Sequence, residues 1–251
     1  MISEPPEKKA VLGIGITTGA FQDQVKAIMI AAGDRRSGYV CCVNAHMTVE
    51  AQRDQVFAVV VNNADLATPD GMPVLFTLRR IHRMRQERVA GNDLMPSLLA
   101  EAEQSGIGVY FFGGSEATLQ LIRARVQREH PRLKISGATS PPFRELTEAE
   151  MEAAADAITA SGAGLVMVSL GCPKQEKWMA AMKGRVPAIM VGLGGAFLLY
   201  AGTDSRAPQW MRSVGLEWVY RLVLEPGRLW KRYLVTNTWF LYLLLHAMVS
   251  P

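Results

Sequence analysis

Leu165-Val166-Met167-Val168-Ser169-Leu170-Gly171-Cys172-Pro173-Lys174-Gln175-Glu176 reads as a strand, a tight turn and the start of a helix. A short apolar run ends in glycine, the helix-length segment Gln175–Met182 follows, and a second apolar run, Ala188–Val191, comes next. Strand, helix and strand in that order make a βαβ unit, whose strands lie parallel in one sheet. The alternation extends outward on the N-terminal side. Val11–Ile16, Tyr39–Val43, Val59–Val61, Ile107–Phe112 and Leu133–Ile135 are the remaining candidate strands. Asp93–Glu103, Glu116–Glu129 and Glu148–Ala160 are further candidate helices. The expected fold class is α/β with a mainly parallel sheet.

A parallel sheet collects its ligands at the C-terminal ends of its strands, where helix N-termini offer free N–H groups. Three glycine clusters are expected there: Gly113 with Gly114, Gly171 with Lys174 and Glu176, and Gly194 with Gly195. They are the candidate nucleotide-binding residues, although tight βα turns need glycine in any such fold. Gly13-Ile14-Gly15-Ile16-Thr17-Thr18-Gly19 fails as a dinucleotide loop, because its third glycine comes one position late and no acid follows at the ribose distance. A turn is expected there instead. Asp65-Leu66-Ala67-Thr68-Pro69-Asp70-Gly71-Met72-Pro73 sets a carboxylate, Asp70, beyond an apolar run, where it can serve as a general base. Asn44 stands in the same relation to Tyr39–Val43.

Metal chemistry has little support in the sequence. No Asp-x-Asp is present, and His46, His82, His130 and His246 have no ligand spacing. Cys41, Cys42 and Cys172 cannot build a disulfide framework and suit a reducing compartment. The first residues do not read as a signal peptide, since acids and prolines stand where a basic start and an apolar run belong. Arg79, Arg80, Arg83, Arg85 and Arg88 make a basic run, which by itself reads as a solvated helix face.

The net charge of +4 is unevenly spread. From Asp204 onward six basic residues face three acidic ones, so the last 48 residues carry +3 and the first 203 carry +1. Four of the five tryptophans, Trp210, Trp218, Trp230 and Trp239, lie in that terminal part. Helical pattern runs from Arg206-Ala207-Pro208 to about Leu224, Pro226-Gly227 interrupts it, and a second helix is expected from Arg228 to about Ala247. The run Trp239–Leu245 is too short to span a bilayer, which takes about 20 residues. It suits a membrane interface, a subunit contact or packing on the body. The expected division is a catalytic body, 1–203, and a basic, Trp-rich helical appendage, 204–251. A nearly neutral body argues against nucleic acid as a partner.

Together these pieces resemble the WecG/TagA/CpsF family of bacterial glycosyltransferases, from about Val11 to Phe240. The carriers in the first half are Asn44, Ala64-Asp65-Leu66, Pro69-Asp70-Gly71-Met72-Pro73, Glu87-Arg88-Val89-Ala90-Gly91-Asn92-Asp93-Leu94 and Phe111-Phe112-Gly113-Gly114. In the second half they are Leu170–Glu176, Gly194-Gly195-Ala196-Phe197, Arg206-Ala207-Pro208, Leu216-Glu217-Trp218 with Tyr220-Arg221, and Glu225-Pro226 with Arg228 and Arg232.

The resemblance implies a Rossmann-like body, helices on both faces of its sheet, and a C-terminal helical appendage. It implies an inverting transfer, without a metal or other cofactor, from a UDP-sugar to a polyprenyl-diphosphate-linked saccharide. The enzyme would work as a peripheral protein on the cytoplasmic face of the membrane, in cell-surface or exopolysaccharide synthesis. Asp70 would be the base, and Asn44, Arg88 and Gln175 the polar pocket. Cys42 stands where some members carry threonine. Arg221, Arg228 and Lys231 or Arg232 would be the appendage cations. UDP-N-acetylmannosamine, its uronate and UDP-glucose all remain open as donors, and a homo-oligomer is compatible with the apolar terminal helix. The other readings are a Rossmann-type oxidoreductase, disfavoured by the failed fingerprint, and a non-catalytic membrane adaptor.

Overall fold

The computed structural model describes residues 7–213 and 215–249. The chain opens with an antiparallel hairpin of β1 (Lys8–Val11) and β2 (Ile14–Thr17). Next come α1 (Phe21–Gly33), β3 (Gly38–Val43), α2 (Ala45–Arg53), α3 (Gln55–Asn62) and β4 (Leu66–Pro69). α4 (Met72–Ile81) and α5 (Gly91–Ser105) lead to β5 (Val109–Gly113), and α6 (Glu116–Glu129) leads to β6 (Ile135–Thr139). α7 (Glu148–Ser161), β7 (Leu165–Ser169), α8 (Lys174–Met182), β8 (Ile189–Gly192) and α9 (Ala196–Ala201) complete the alternation. The terminal segment holds α10 (Gln209–Ser213), α11 (Glu217–Leu224) and α12 (Pro226–Val249).

Strands β3 to β8 form one sheet in the order β4-β3-β8-β7-β5-β6, with every neighbouring pair parallel. The fold is therefore α/β and Rossmann-like. All six C-terminal ends emerge on one edge: Val43 pairs with Pro69, Gly192 with Cys41 and Val168, and Gly113 with Ser169. The chain leaves β3 in one direction and reaches its neighbour β8 from the other, which places a crevice outside their ends.

The strands are apolar at nearly every position because both faces are covered. Val40, Cys42, Phe111, Met167 and Val191 face one core, which includes residues of α1, α5, α6 and α9. Tyr39, Cys41, Val43, Phe112, Val168 and Met190 face the other, with residues of α2, α3, α4 and α8.

Three local expectations change. Val59–Val61 is not a strand but part of α3. Asp54 caps that helix by accepting the Phe57 N–H at 3.0 Å, and Phe57 and Val61 turn inward while Val56 and Val59 stay exposed. That spacing of four belongs to a helix, and it outweighs the β-propensity of three valines. The neighbouring strand is Leu66–Pro69, inside the acid- and proline-rich stretch. Val11–Ile16 is not one strand but two, joined through Leu12 (φ 47°) and Gly13 (φ 77°). Two central residues with positive φ make the type I′ turn that suits a twisted hairpin.

The terminal segment breaks earlier than its pattern suggests, at Gly215 (φ 80°) between α10 and α11, and Pro226 opens α12. Proline fits a first helical turn, where its missing N–H would have no partner. Phe240 and Leu244 of α12 pack on Ala45 and Val49 of α2 and on Leu12. Among the described residues, no helix is long and apolar enough to cross a membrane.

Gly113 has a backbone reason to be glycine. Its φ is 109°, and a Cβ there would lie 2.2 Å from the Ser169 carbonyl oxygen, which cannot move without disturbing β7. Gly113→Ala is therefore expected to lower stability by more than the ~1–3 kcal/mol of a strained backbone alone. Gly171→Ala, also at positive φ (79°) but with nothing within 4 Å, is expected to cost less. Thermal melts of the two variants test the order, and equal melting temperatures would contradict it.

Candidate active site

The crevice is built from the ends of β4 and β3. The Asp70 N–H donates to the Val43 oxygen at 3.0 Å, carrying the β3–β4 ladder one residue past Pro69. Asn44 follows β3 and caps α2, its Oδ1 accepting the Met47 N–H at 3.1 Å, which leaves its amide NH2 for another partner. Gly71 allows the two strand ends to meet, since a Cβ there would be 3.3 Å from that of Asn44.

Arg88 arrives on the segment between α4 and α5. Val89 is clamped to β4 from both sides: its N–H donates to the Pro69 oxygen at 2.9 Å, and its carbonyl accepts the Thr68 hydroxyl at 2.9 Å. The appendage supplies the opposite wall. Glu217, the first residue of α11, meets Arg88 at 3.0 Å. One turn later Arg221 lies over the β8–α9 turn, where a Cβ on Gly195 would be 3.7 Å from its Nη2. Asp93 lies 3.7 Å from Arg88 and also binds Arg206, and Asp204 lies 3.9 Å from Arg221.

These charges surround Asp70. Burial raises its carboxyl to about 7; Arg88 and Arg221 pull it down, while Glu217 and Asp93 push it up. A carboxyl that changes charge near neutrality is suited to taking a proton from a hydroxyl.

Gln175 and Glu176 open α8 and are both buried. Gln175 Nε2 donates to Glu176 Oε1 at 2.6 Å, and the Cys172 thiol also donates to Glu176. That bond fixes the amide. Gln175 Oε1 is left without a protein partner among the described residues, and a Cβ on Gly194 would lie 3.6 Å from it. It is an acceptor awaiting a donor. Burial raises the Glu176 carboxyl to about 7, and Glu176 bears on the crevice through Gln175 rather than by its own exposure.

The remaining candidates are dispersed. Cys42 is buried in β3, and a Cβ on Gly91 would be 3.6 Å from its Sγ; burial raises its thiol, and Asp70 raises it further. Gly113 and Gly114 lie at the end of β5, where Ser140 Oγ donates to the Gly114 oxygen at 2.7 Å. Gly171 and Lys174 are exposed at the β7–α8 turn. The side chains of Arg228, Lys231 and Arg232 lie outside the described residues. Among the described residues no three His, Cys, Asp or Glu side chains could hold a metal ion together.

Glu217, Asp93, Asp204 and Arg206 were not singled out by their residue types. All but Asp204 stand inside the quoted motifs, but pairs such as Arg88–Glu217, 129 residues apart, show only in the fold.

Comparison with known proteins identifies the family. The family model described as "Glycosyl transferase WecG/TagA/CpsF family" matches residues 9–251. A protein of Bacillus spizizenii (strain ATCC 23059 / NRRL B-14472 / W23) is 32% identical over 216 residues, covering 86% of this chain and 82% of the relative. One of Bacillus subtilis (strain 168) is 32% identical over 203 residues, covering 80% of this chain and 77% of its own. Both are named N-acetylglucosaminyldiphosphoundecaprenol N-acetyl-beta-D-mannosaminyltransferase.

Glu217→Gln removes one of the negative neighbours that push Asp70 up. The acidic limb of the pH–activity profile should then move to lower pH. An unmoved limb, or one moved upward, would show that Glu217 does not act on Asp70.

Proposed function

The chain belongs to the WecG/TagA/CpsF family of glycosyltransferases, and from that premise we propose that it transfers a sugar from a UDP-sugar to a polyprenyl-diphosphate-linked saccharide, with inversion and without a metal. The observation that carries the reading is Asp70, part-buried just past a strand end with two guanidiniums acting on it. The Asp70 carboxylate takes the proton of the acceptor hydroxyl as that oxygen attacks the anomeric carbon. The bond from that carbon to the diphosphate breaks on the opposite face, and its electrons leave with UDP. Arg88 and Arg221 meet the charge that develops on the leaving diphosphate. The family resemblance adds Arg228, with Lys231 or Arg232, as further cations for the same diphosphate.

Asn44 Nδ2 and Gln175 Oε1 supply a donor and an acceptor for sugar or base. The relatives' names point to N-acetylmannosamine as the transferred sugar and to an N-acetylglucosaminyl acceptor. A buried acceptor such as Gln175 Oε1 suits an acetamido N–H as well as a hydroxyl. The body 1–203 carries the base, and the appendage 204–251 closes the crevice and faces the bilayer. The exposed Trp230, Leu234, Trp239, Leu241 and Leu245 of α12 give it an apolar surface for the inner leaflet.

UDP release from UDP-N-acetylmannosamine, its uronate and UDP-glucose tests the reading, with a lipid-diphosphate-linked N-acetylglucosamine acceptor and with or without EDTA. N-acetylmannosamine is the expected donor and EDTA should change nothing. Asp70→Asn should lower turnover by about 100- to 10,000-fold. The wild-type rate should rise with pH through about 7, where Asp70 loses its proton.

Stability should move the other way. A carboxyl raised in the folded state contributes stability that is full below its unfolded value, about 4, and is lost as pH rises through about 7. Asp70→Asn should therefore melt above wild type at pH 8, with the gap closing toward pH 5. An active Asp70→Asn variant would remove the assigned base.

A further inference from the structure

Arg79, Arg80, Arg83 and Arg85 line a concavity of about 990 Å³, together with Gly19 and Glu87 among others. All four arginines are exposed. Among the described residues none of them is ion-paired, whereas Arg88, three residues further on, has two carboxylate partners. Glu87 is the one acid in the lining, and its Oε2 already accepts the Phe21 N–H at 2.8 Å. The concavity is thus strongly cationic, and the proposed transfer makes no use of it.

Its wall is firmly built. The buried Gln86 ties the segment to Gly19 twice, its Oε1 accepting the Gly19 N–H at 3.0 Å and its Nε2 donating to the Gly19 oxygen at 2.7 Å. Arg79 donates to the Gln86 oxygen through Nε at 3.2 Å and Nη2 at 2.8 Å. His82 Nε2 bonds the Ala10 oxygen at 2.7 Å, and Arg83 turns outward at φ 50°, a backbone conformation unfavourable to any residue but glycine. Two large apolar side chains of α4 flank the arginines in the open, Phe76 at 52% and Ile81 at 40% exposure. Phe76 precedes Arg79 and Arg80 by three and four residues, which puts them on one side of the helix.

We infer that this face is a docking surface for an anionic phospholipid bilayer, a second membrane contact separate from α12. A pocket for a free phosphate gathers donors toward one buried point. Here the guanidiniums are spread over an open rim beside exposed apolar groups, which is the arrangement that fits a headgroup layer. The position suits the proposed reaction. α4 begins two residues after Asp70 and spans about 15 Å, and Arg88 follows Arg85 within about 10 Å of chain. A membrane held against this rim would bring a lipid-linked diphosphate to the edge of the crevice. The inference extends the proposed membrane association, and it is read without sugar transfer, so it fails separately from the transferase reading.

Flotation of the full chain with vesicles of phosphatidylcholine alone, or with one third phosphatidylglycerol, tests it. The protein should bind the anionic vesicles more tightly, and binding should weaken as salt rises from 50 to 300 mM. Each basic residue near an anionic surface is worth about fivefold in binding, so Arg80→Gln, Arg83→Gln and Arg85→Gln together should lower it by roughly 100-fold. Arg79 is left in place because it holds the segment. UDP release on a short-chain soluble acceptor should be unchanged in the triple variant.

Equal binding of both vesicle types by the wild-type chain, or binding insensitive to salt, would overturn the proposal whatever the variant does. So would a folded triple variant that floats like wild type. Displacement by inorganic pyrophosphate at the same phosphate concentration would also overturn it, by assigning the concavity to a soluble anion.

Discussion

Asp70 is costly to ionise where it stands. Asp70 is part-buried at the end of β4, and desolvation there favours its protonated carboxyl. The surrounding charges return it toward a working range. Arg88 and Arg221 favour the ionised form, and Glu217 and Asp93 temper them. These four residues come from three elements: Arg88 from the α4–α5 segment, Asp93 from α5, and Glu217 and Arg221 from α11. Two of the four charged neighbours of Asp70, Glu217 and Arg221, belong to α11, and they act on its carboxyl in opposite directions.

Backbone geometry delivers these groups. Six parallel strands end on one edge, so the residues that follow β3, β4, β7 and β8 become neighbours although they are far apart in sequence. Close approach there has its own requirements. Gly71 lets Asn44 and Asp70 adjoin, and Gly192 leaves room for the Gln175 amide and the Met179 side chain. These glycines serve the site by what they omit. Gly113 answers instead to the β5–β7 contact. A glycine cluster at a strand end thus mixes two causes that sequence alone does not separate.

The βαβ alternation was legible because both faces of the sheet are covered, which makes whole strands apolar. Where that condition lapses, reading by composition misplaces elements. The three valines of α3 carry strand propensity, yet Phe57 and Val61 face inward four residues apart. Leu66–Pro69 is only four residues long and is bracketed by acids, so it reads as a loop. Asp70 was nonetheless recognisable as a strand-end carboxylate, since Asp-Gly after an apolar run is a local signal. The Arg88–Glu217 pair had no local signal. The motif containing Glu217 was visible, but its partner lies 129 residues away. Gln175 stood out within its motif, while the fixed direction of its amide depends on a buried hydrogen bond from Gln175 to Glu176.

The charge arithmetic of the crevice constrains how a substrate enters. Arg88, Arg206 and Arg221 are matched by Glu217, Asp93 and Asp204. A diphosphate that binds Arg88 or Arg221 has to compete with these carboxylates. Glu217 is the most readily displaced from Arg88, because it sits on a short helix with no buried residue, whereas Asp93 is set in the first turn of α5, whose inner face fills the core. Displacement would remove a negative neighbour from Asp70 and bring a more negative group in its place. Under the proposed transfer, Asp70 then becomes a stronger proton acceptor as the diphosphate arrives and a weaker one as it departs, with Glu217 returning to Arg88. In that proposal a single ion pair, Arg88 with Glu217, couples the entry of the diphosphate to the proton affinity of Asp70.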